Sequence, residues 1–164
     1  MKLFLMRHGQ AEDKEGKVDT QRHLVDKGRA RSEMVARHLA KSDLFLDLIV
    51  TSPLARAKET AEIVQKTLKC KNLMISEDLV PQAQPLAFYN WLKIHADDLE
   101  TVLAVGHEPQ LSLFASWLLT RQSKSFIEFK KSGVMAIDLN HLGQIEDFHC
   151  QLLWLISPQV LEIS

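Results

Sequence analysis

Three short runs of this chain are apolar at every position: Leu3-Phe4-Leu5-Met6, Leu48-Ile49-Val50 and Val102-Leu103-Ala104-Val105. Successive side chains of a strand point to opposite faces, so a strand with one wet face alternates apolar and polar residues. A run without alternation needs cover on both faces, as in a parallel sheet held between two helical layers. Stretches with helical periodicity separate and follow these runs, over residues 27–41, 53–68, 85–97 and 109–119. In the second, Ala57, Thr60, Ile63, Val64 and Leu68 share a face, and Lys58, Glu62, Gln65 and Lys69 fall largely on another. Ser52-Pro53 reads as its start, with serine capping and proline in the first turn.

Beyond residue 125 the pattern changes: residues 125–130, 133–140 and 150–156 read as strands joined by turns such as Asn140-His141-Leu142-Gly143. Some antiparallel pairing is expected there. The expected fold is an α/β three-layer sandwich whose central sheet is mostly parallel with an antiparallel edge. With 164 residues, 46% of them hydrophobic, one core can be filled, and no repeat, low-complexity tract or linker divides the chain. A single domain over residues 1–164 is expected.

Charged residues make up 25% and nearly cancel, to a net charge of -1, which gives no general attraction to nucleic acid or an anionic membrane; neither is expected as a partner. The first apolar run meets Arg7 and His8 too soon for a signal-peptide core or a membrane span. Cys70 and Cys150 lie far apart and form no ligand spacing, as suits reduced thiols. A cytoplasmic location is expected.

In open α/β sheets ligands bind beyond the carboxyl ends of the strands. The three runs end in Arg7-His8-Gly9, in Thr51-Ser52-Pro53 with Arg56 one turn later, and in Gly106-His107. Two arginines and two histidines thus converge on one sheet edge. A guanidinium holds phosphate oxygens in pairs and stays charged at any working pH. Arg56 also lies near the amino end of its helix, where free amides and the dipole favour an anion. A single histidine after a strand is more often structural, and Arg-His-Gly alone is a weak signal. The agreement of three strand ends is what points to a phosphoryl site.

Arg7-His8-Gly9, Ser52-Pro53-Leu54-Ala55-Arg56-Ala57 with Thr60, and Gly106-His107 resemble the histidine phosphatase superfamily, which includes phosphoglycerate mutases, over about residues 1–115. The chain length and the segment Arg22-His23-Leu24-Val25-Asp26-Lys27-Gly28 are most similar to its SixA-type phosphohistidine phosphatases. The resemblance implies a phosphoglycerate-mutase-like fold, His8 as nucleophile, Arg7, Arg56 and His107 holding the phosphoryl oxygens, and Arg22 as a further binding residue. His23 stands where proline is common and Val25 where a hydroxyl residue is common. Gly9 is taken with the substrate-binding residues, permitting an unusual backbone conformation beside the nucleophile. Candidates for a general acid are Asp78, where the superfamily often carries an acidic residue, and Glu108, which also reads as polarising a helix start. No metal or other cofactor is expected, since His23, His38, His95, His141 and His149 are scattered without ligand spacing.

An imidazole attacks phosphorus only when neutral, and flanking arginines depress its pKa while stabilising charge that develops on the phosphoryl oxygens. The resulting phosphoramidate on His8 is then hydrolysed by water. The expected substrate is a phosphohistidine-bearing protein such as a histidine phosphotransfer domain. A small-molecule phosphomonoester phosphatase of the same chemistry remains open, although a short chain leaves little room for a substrate lid. A non-catalytic phosphate or phosphoprotein binding module also remains open, but binding alone has no need of His8. Lys27, Arg29, Arg31, Arg37 and Lys130-Lys131 read as solvated faces that supply a basic rim, and Trp91, Trp117 and Trp154 read as core.

Overall fold

The uninterrupted apolar runs are three neighbouring parallel strands of a six-stranded sheet. The computed structural model describes residues 1–16, 18–140, 142–143 and 149–162. In chain order these form β1 (Lys2–Arg7), α1 (Asp26–Ala40), β2 (Leu48–Thr51), α2 (Ala55–Leu68), β3 (Leu73–Ile75), α3 (Pro85–His95), β4 (Thr101–Gly106), α4 (Gln110–Thr120), β5 (Val134–Leu139), β6 (Cys150–Ile156) and α5 (Pro158–Leu161). Two 3₁₀ turns lie at Asp19–Gln21 and Glu77–Leu79. The sheet order is β3-β2-β4-β1-β5-β6, with the first four strands parallel, β5 antiparallel to β1 and β6 antiparallel to β5. The expected sandwich with an antiparallel edge is therefore observed. Among the described residues no helix is long and apolar enough to cross a membrane.

Two-sided burial explains the unbroken runs. Leu3, Leu5, Val50, Val102 and Ala104 pack on one face against Phe88, Tyr89 and Leu92 of α3 and Leu111 and Phe114 of α4. Phe4, Met6, Ile49, Leu103 and Val105 pack on the other against Val35 and Ala36 of α1 and Ala57, Ala61 and Val64 of α2. Each fully buried large side chain stabilises the fold by about 1.5–3 kcal/mol relative to exposure.

The four main helices lie within two residues of their expected limits, but the start of α2 differs in kind. Leu54 occupies the cap position, without a side-chain cap, and Ser52 turns toward the strand ends instead. A second difference is that no strand forms over residues 125–130. There the backbone is satisfied by side chains: Phe126 N donates to Ser116 Oγ at 3.0 Å, Phe129 N donates to Glu108 Oε1 at 3.0 Å, and Phe129 O accepts from Arg7 Nη1 at 2.6 Å. Main-chain groups so occupied need no neighbouring strand. The turn expected around Asn140-His141-Leu142-Gly143 includes His141, which lies outside the described residues.

Candidate active site

Strand register brings the chemistry together. Arg7 lies opposite Gly106 across the parallel β1–β4 pair, so the next residues, His8 and His107, leave the sheet side by side with ring centroids 4.8 Å apart. His8 N donates to Gly106 O at 3.1 Å and Ser52 N to Val105 O at 3.0 Å, fixing all three strand exits to one another. From β2 the chain turns into α2 and delivers Arg56, only 4% exposed.

The ring of His8 has a defined polarity. Its Nδ1 sits 2.7 Å from Gly9 O, and a carbonyl only accepts, so Nδ1 carries the proton and Nε2 the lone pair. Arg56 Nε donates to that Nε2 at 3.3 Å. Ser52 Oγ is 2.9 Å from His107 Nε2, and His107 Nδ1 is buried with no hydrogen-bond partner among the described residues. The Nε of Arg7 is likewise buried without a partner among the described residues. Arg7 Nε–H is a donor suited to a phosphoryl oxygen, and so is His107 Nδ1 in the tautomer that accepts from Ser52 at Nε2.

Both histidines are neutral. Burial holds the pKa of His8 down at about 3; the bond to Gly9 opposes this, while the charges of Arg56, Arg7 and Lys131 add to it. Burial holds His107 at about 2, helped by His8, Arg56 and Arg7. The arginines lower the His8 pKa as expected, but desolvation is the larger cause.

The cleft over these groups has a volume of about 330 Å³, and its walls include Arg7, His8, Arg22, Arg56, His107 and Glu108. Arg22 is thus in place, its Nε on Glu12 O at 2.7 Å. The unusual His23 does not displace it, because Glu59 of α2 binds the His23 ring and the Leu24 amide and pairs with Arg29. Asp19, which the sequence reading passed over, sits in the cleft between Arg22 and Arg56. Lys14, Lys131 and Gln82 also line it.

Three candidates behave differently from expectation. Gly9 does not line the cleft and its φ is not in the left-handed region. A Cβ there would stand 2.7 Å from Ser32 Oγ and 2.8 Å from Gly28 O, so glycine is needed for the close approach of α1. Its amide donates to Thr60 Oγ1 at 3.0 Å, steadying the turn that bears His8. Asp78 is also absent from the cleft walls; its carboxylate accepts from Ser76 Oγ at 3.4 Å within its own turn, and its carbonyl accepts from Gln110 Nε2 at 3.1 Å. Glu108 does line the cleft, but one carboxylate oxygen accepts from Ser112 Oγ and the other from Phe129 N. It ties α4 to the segment whose Phe129 carbonyl holds Arg7.

A neutral imidazole with its lone pair turned toward a buried guanidinium, among further cationic donors, can attack an electrophile that carries anionic oxygens. Comparison with known proteins agrees. Residues 3–80 match the family model of the histidine phosphatase superfamily (branch 1). The chain is 34% identical over 140 residues to an uncharacterized protein of Picosynechococcus, covering 84% of each. It is 25% identical over 169 residues to the phosphohistidine phosphatase SixA of Escherichia coli, covering 100% of this chain and 98% of that one. Its fold is similar to that of the protein histidine phosphatase SixA complexed with tungstate, with a TM-score of 0.86 at 23% identity over 98% of this chain and 99% of that one.

Proposed function

Since the chain belongs to the histidine phosphatase superfamily, we propose that it removes phosphate from phosphohistidine on a signalling protein by way of a covalent phosphohistidine on His8. His8 Nε2 attacks phosphorus in line; the P–N bond of the substrate breaks, and its electron pair leaves with the substrate imidazole, which is protonated near neutral pH. Arg7, Arg56, His107 and Arg22 hold the phosphoryl oxygens as charge builds on them. Water then attacks the same phosphorus, the bond to Nε2 breaks, and inorganic phosphate is released.

One observation favours this substrate over an ester. Both carboxylates on the cleft walls are engaged as acceptors, Glu108 by Ser112 and Phe129, and Asp19 by Arg22 and Arg56. Burial pushes the pKa of Asp19 up, but the bonds and charges of the two arginines outweigh it and hold the group below the usual carboxylate range. Neither is a ready proton donor. An alkoxide needs a proton during departure, whereas a protonated imidazole does not.

The partner this reading favours is a histidine phosphotransfer domain or a similar phosphohistidine protein, met by exposed Lys14 and Lys131 at the cleft mouth. Cys70 and Cys150 are free thiols, in keeping with work in the cytoplasm. The test is a turnover series with a phosphohistidine protein, aryl esters of acidic phenols, and sugar or glycerol phosphates. Efficient phosphohistidine turnover with slow alkyl esters is expected. Alkyl esters turned over equally well would favour a small-molecule phosphatase, and phosphate binding without any turnover would favour a binding module.

A further inference from the structure

We infer that Asp19 is a resident anion of the phosphoryl site: its carboxylate gives way to the phosphoryl group, returns to Arg56 afterwards, and so keeps the affinity for product phosphate low. The inference rests on reading the cleft as a phosphoryl site. Asp19 Oδ2 lies 3.1 Å from Arg56 Nη2 and Oδ1 lies 2.9 Å from Arg22 Nη1, so one carboxylate bridges both guanidiniums. In a guanidinium, Nε and Nη2 form one edge of the fork, the edge that grips two oxygens of one anion. On Arg56 the Nε of that edge faces His8 Nε2, and its Nη2 holds Asp19. A phosphoryl group in line with His8 needs the same edge, so it competes with the carboxylate.

The local geometry allows the exchange. Asp19 O accepts from Arg56 Nη1 at 2.8 Å, a nitrogen outside the Nε/Nη2 edge, so the main chain can stay anchored while the side chain turns away. That side chain is 47% exposed and has water to turn into, whereas the Arg56 side chain is 5% exposed and stays put. A tethered competitor acts at a high effective concentration and weakens every anion by the same factor. Free phosphate has only its oxygens with which to overcome that factor. A phosphoprotein adds contacts outside the cleft, so it stays bound under a factor that leaves free phosphate weakly held.

The experiment is calorimetric titration of inorganic phosphate into the whole protein, for wild type, Asp19→Asn and Asp19→Ala, with thermal melting of each to establish that it is folded. Both variants are expected to bind phosphate about fivefold or more tightly than wild type. Unchanged or weaker binding in folded variants would overturn the inference and make Asp19 a residue that merely orients Arg56. Wild-type protein supplies a second measurement that needs no substitution. The side-chain carboxyl carbon resonance of Asp19 is expected to shift on saturation with phosphate, and a resonance that stays in place also overturns the inference. Neither measurement involves turnover, so failure here leaves the phosphohistidine assignment standing, and a failed phosphohistidine assay leaves this result intact.

Discussion

The Nε–H of Arg56 meets the Nε2 of His8 across 3.3 Å, so the guanidinium proposed to hold a phosphoryl oxygen also faces the lone pair proposed to attack phosphorus. Arg56→Ala is expected to lower kcat/KM by about 2–4 kcal/mol of transition-state stabilisation. Arg56→Lys should not restore it, because an ammonium cannot reproduce the fork. Steady-state kinetics decide the matter, and a change confined to KM would make Arg56 a binding residue only.

His8→Ala should abolish turnover and leave the melting temperature close to wild type, since the side chain lies on a cleft wall and outside both core clusters. Rapid quenching of the wild-type enzyme should trap an acid-labile, alkali-stable phosphate on His8. Phosphate found instead on a serine would remove His8 as nucleophile.

The buried histidines set a pH dependence whose sign is fixed. In the fold they stay neutral down to about 3 for His8 and about 2 for His107, whereas their unshifted value is 6.5. Below that value the unfolded chain binds protons that the folded chain refuses. Stability contributed by each is therefore whole above pH 6.5 and falls as pH drops toward the folded values, by up to about 1.4 kcal/mol per pH unit. Denaturant unfolding at a series of pH values measures the slope. In a histidine NMR titration the His8 and His107 rings should stay silent between pH 8 and pH 5, and titration of either near 6.5 would contradict their burial.

Glu108 should matter through the segment that it holds rather than as an acid. Glu108→Ala leaves the Phe129 amide without its acceptor, at a cost of about 1–3 kcal/mol, and loosens the carbonyl that holds Arg7, so stability and kcat should fall together. Glu108→Gln keeps an oxygen for that amide and should be milder on both counts. If Gln proved as harmful as Ala to alkyl ester turnover, with stability intact, Glu108 would instead be a proton donor.

Asp78→Asn is expected to change turnover of phosphohistidine and of alkyl esters by less than about twofold, because its carboxylate is engaged by Ser76 away from the cleft. Selective loss of alkyl ester activity would return Asp78 to the chemistry.

His8, Arg56 and His107 were readable in the sequence because each follows closely on an apolar run, and a parallel sheet gathers strand ends at one edge. Asp19 was not, because its place depends on a loop that no periodicity describes, although its spacing of three from Arg22 was a faint signal. Ser52 reads as a helix cap, yet its hydroxyl sits closer to His107 Nε2, at 2.9 Å, than to the Leu54 amide, at 3.4 Å. The local pattern of residues 125–130 reads as a strand, yet their backbone bonds go to Ser116, Glu108 and Arg7 elsewhere in the chain and to Ser125 and Gly133 nearby rather than to a neighbouring strand. β3 escaped notice because it has only three residues, two of them exposed.

His8, Ser52 and His107 each come one residue after a strand whose apolar side chains are buried on both faces. Amide hydrogens in such central strands exchange only when the whole molecule opens, whereas loops exchange through local fluctuations. The histidine pair therefore has no private route to melting: warming should leave its alignment intact until the sheet itself fails. Asp19 and Arg22 hang from the connection between β1 and α1, outside those strands, so hydrogen exchange there is expected to be faster than at the strand ends that carry the two histidines.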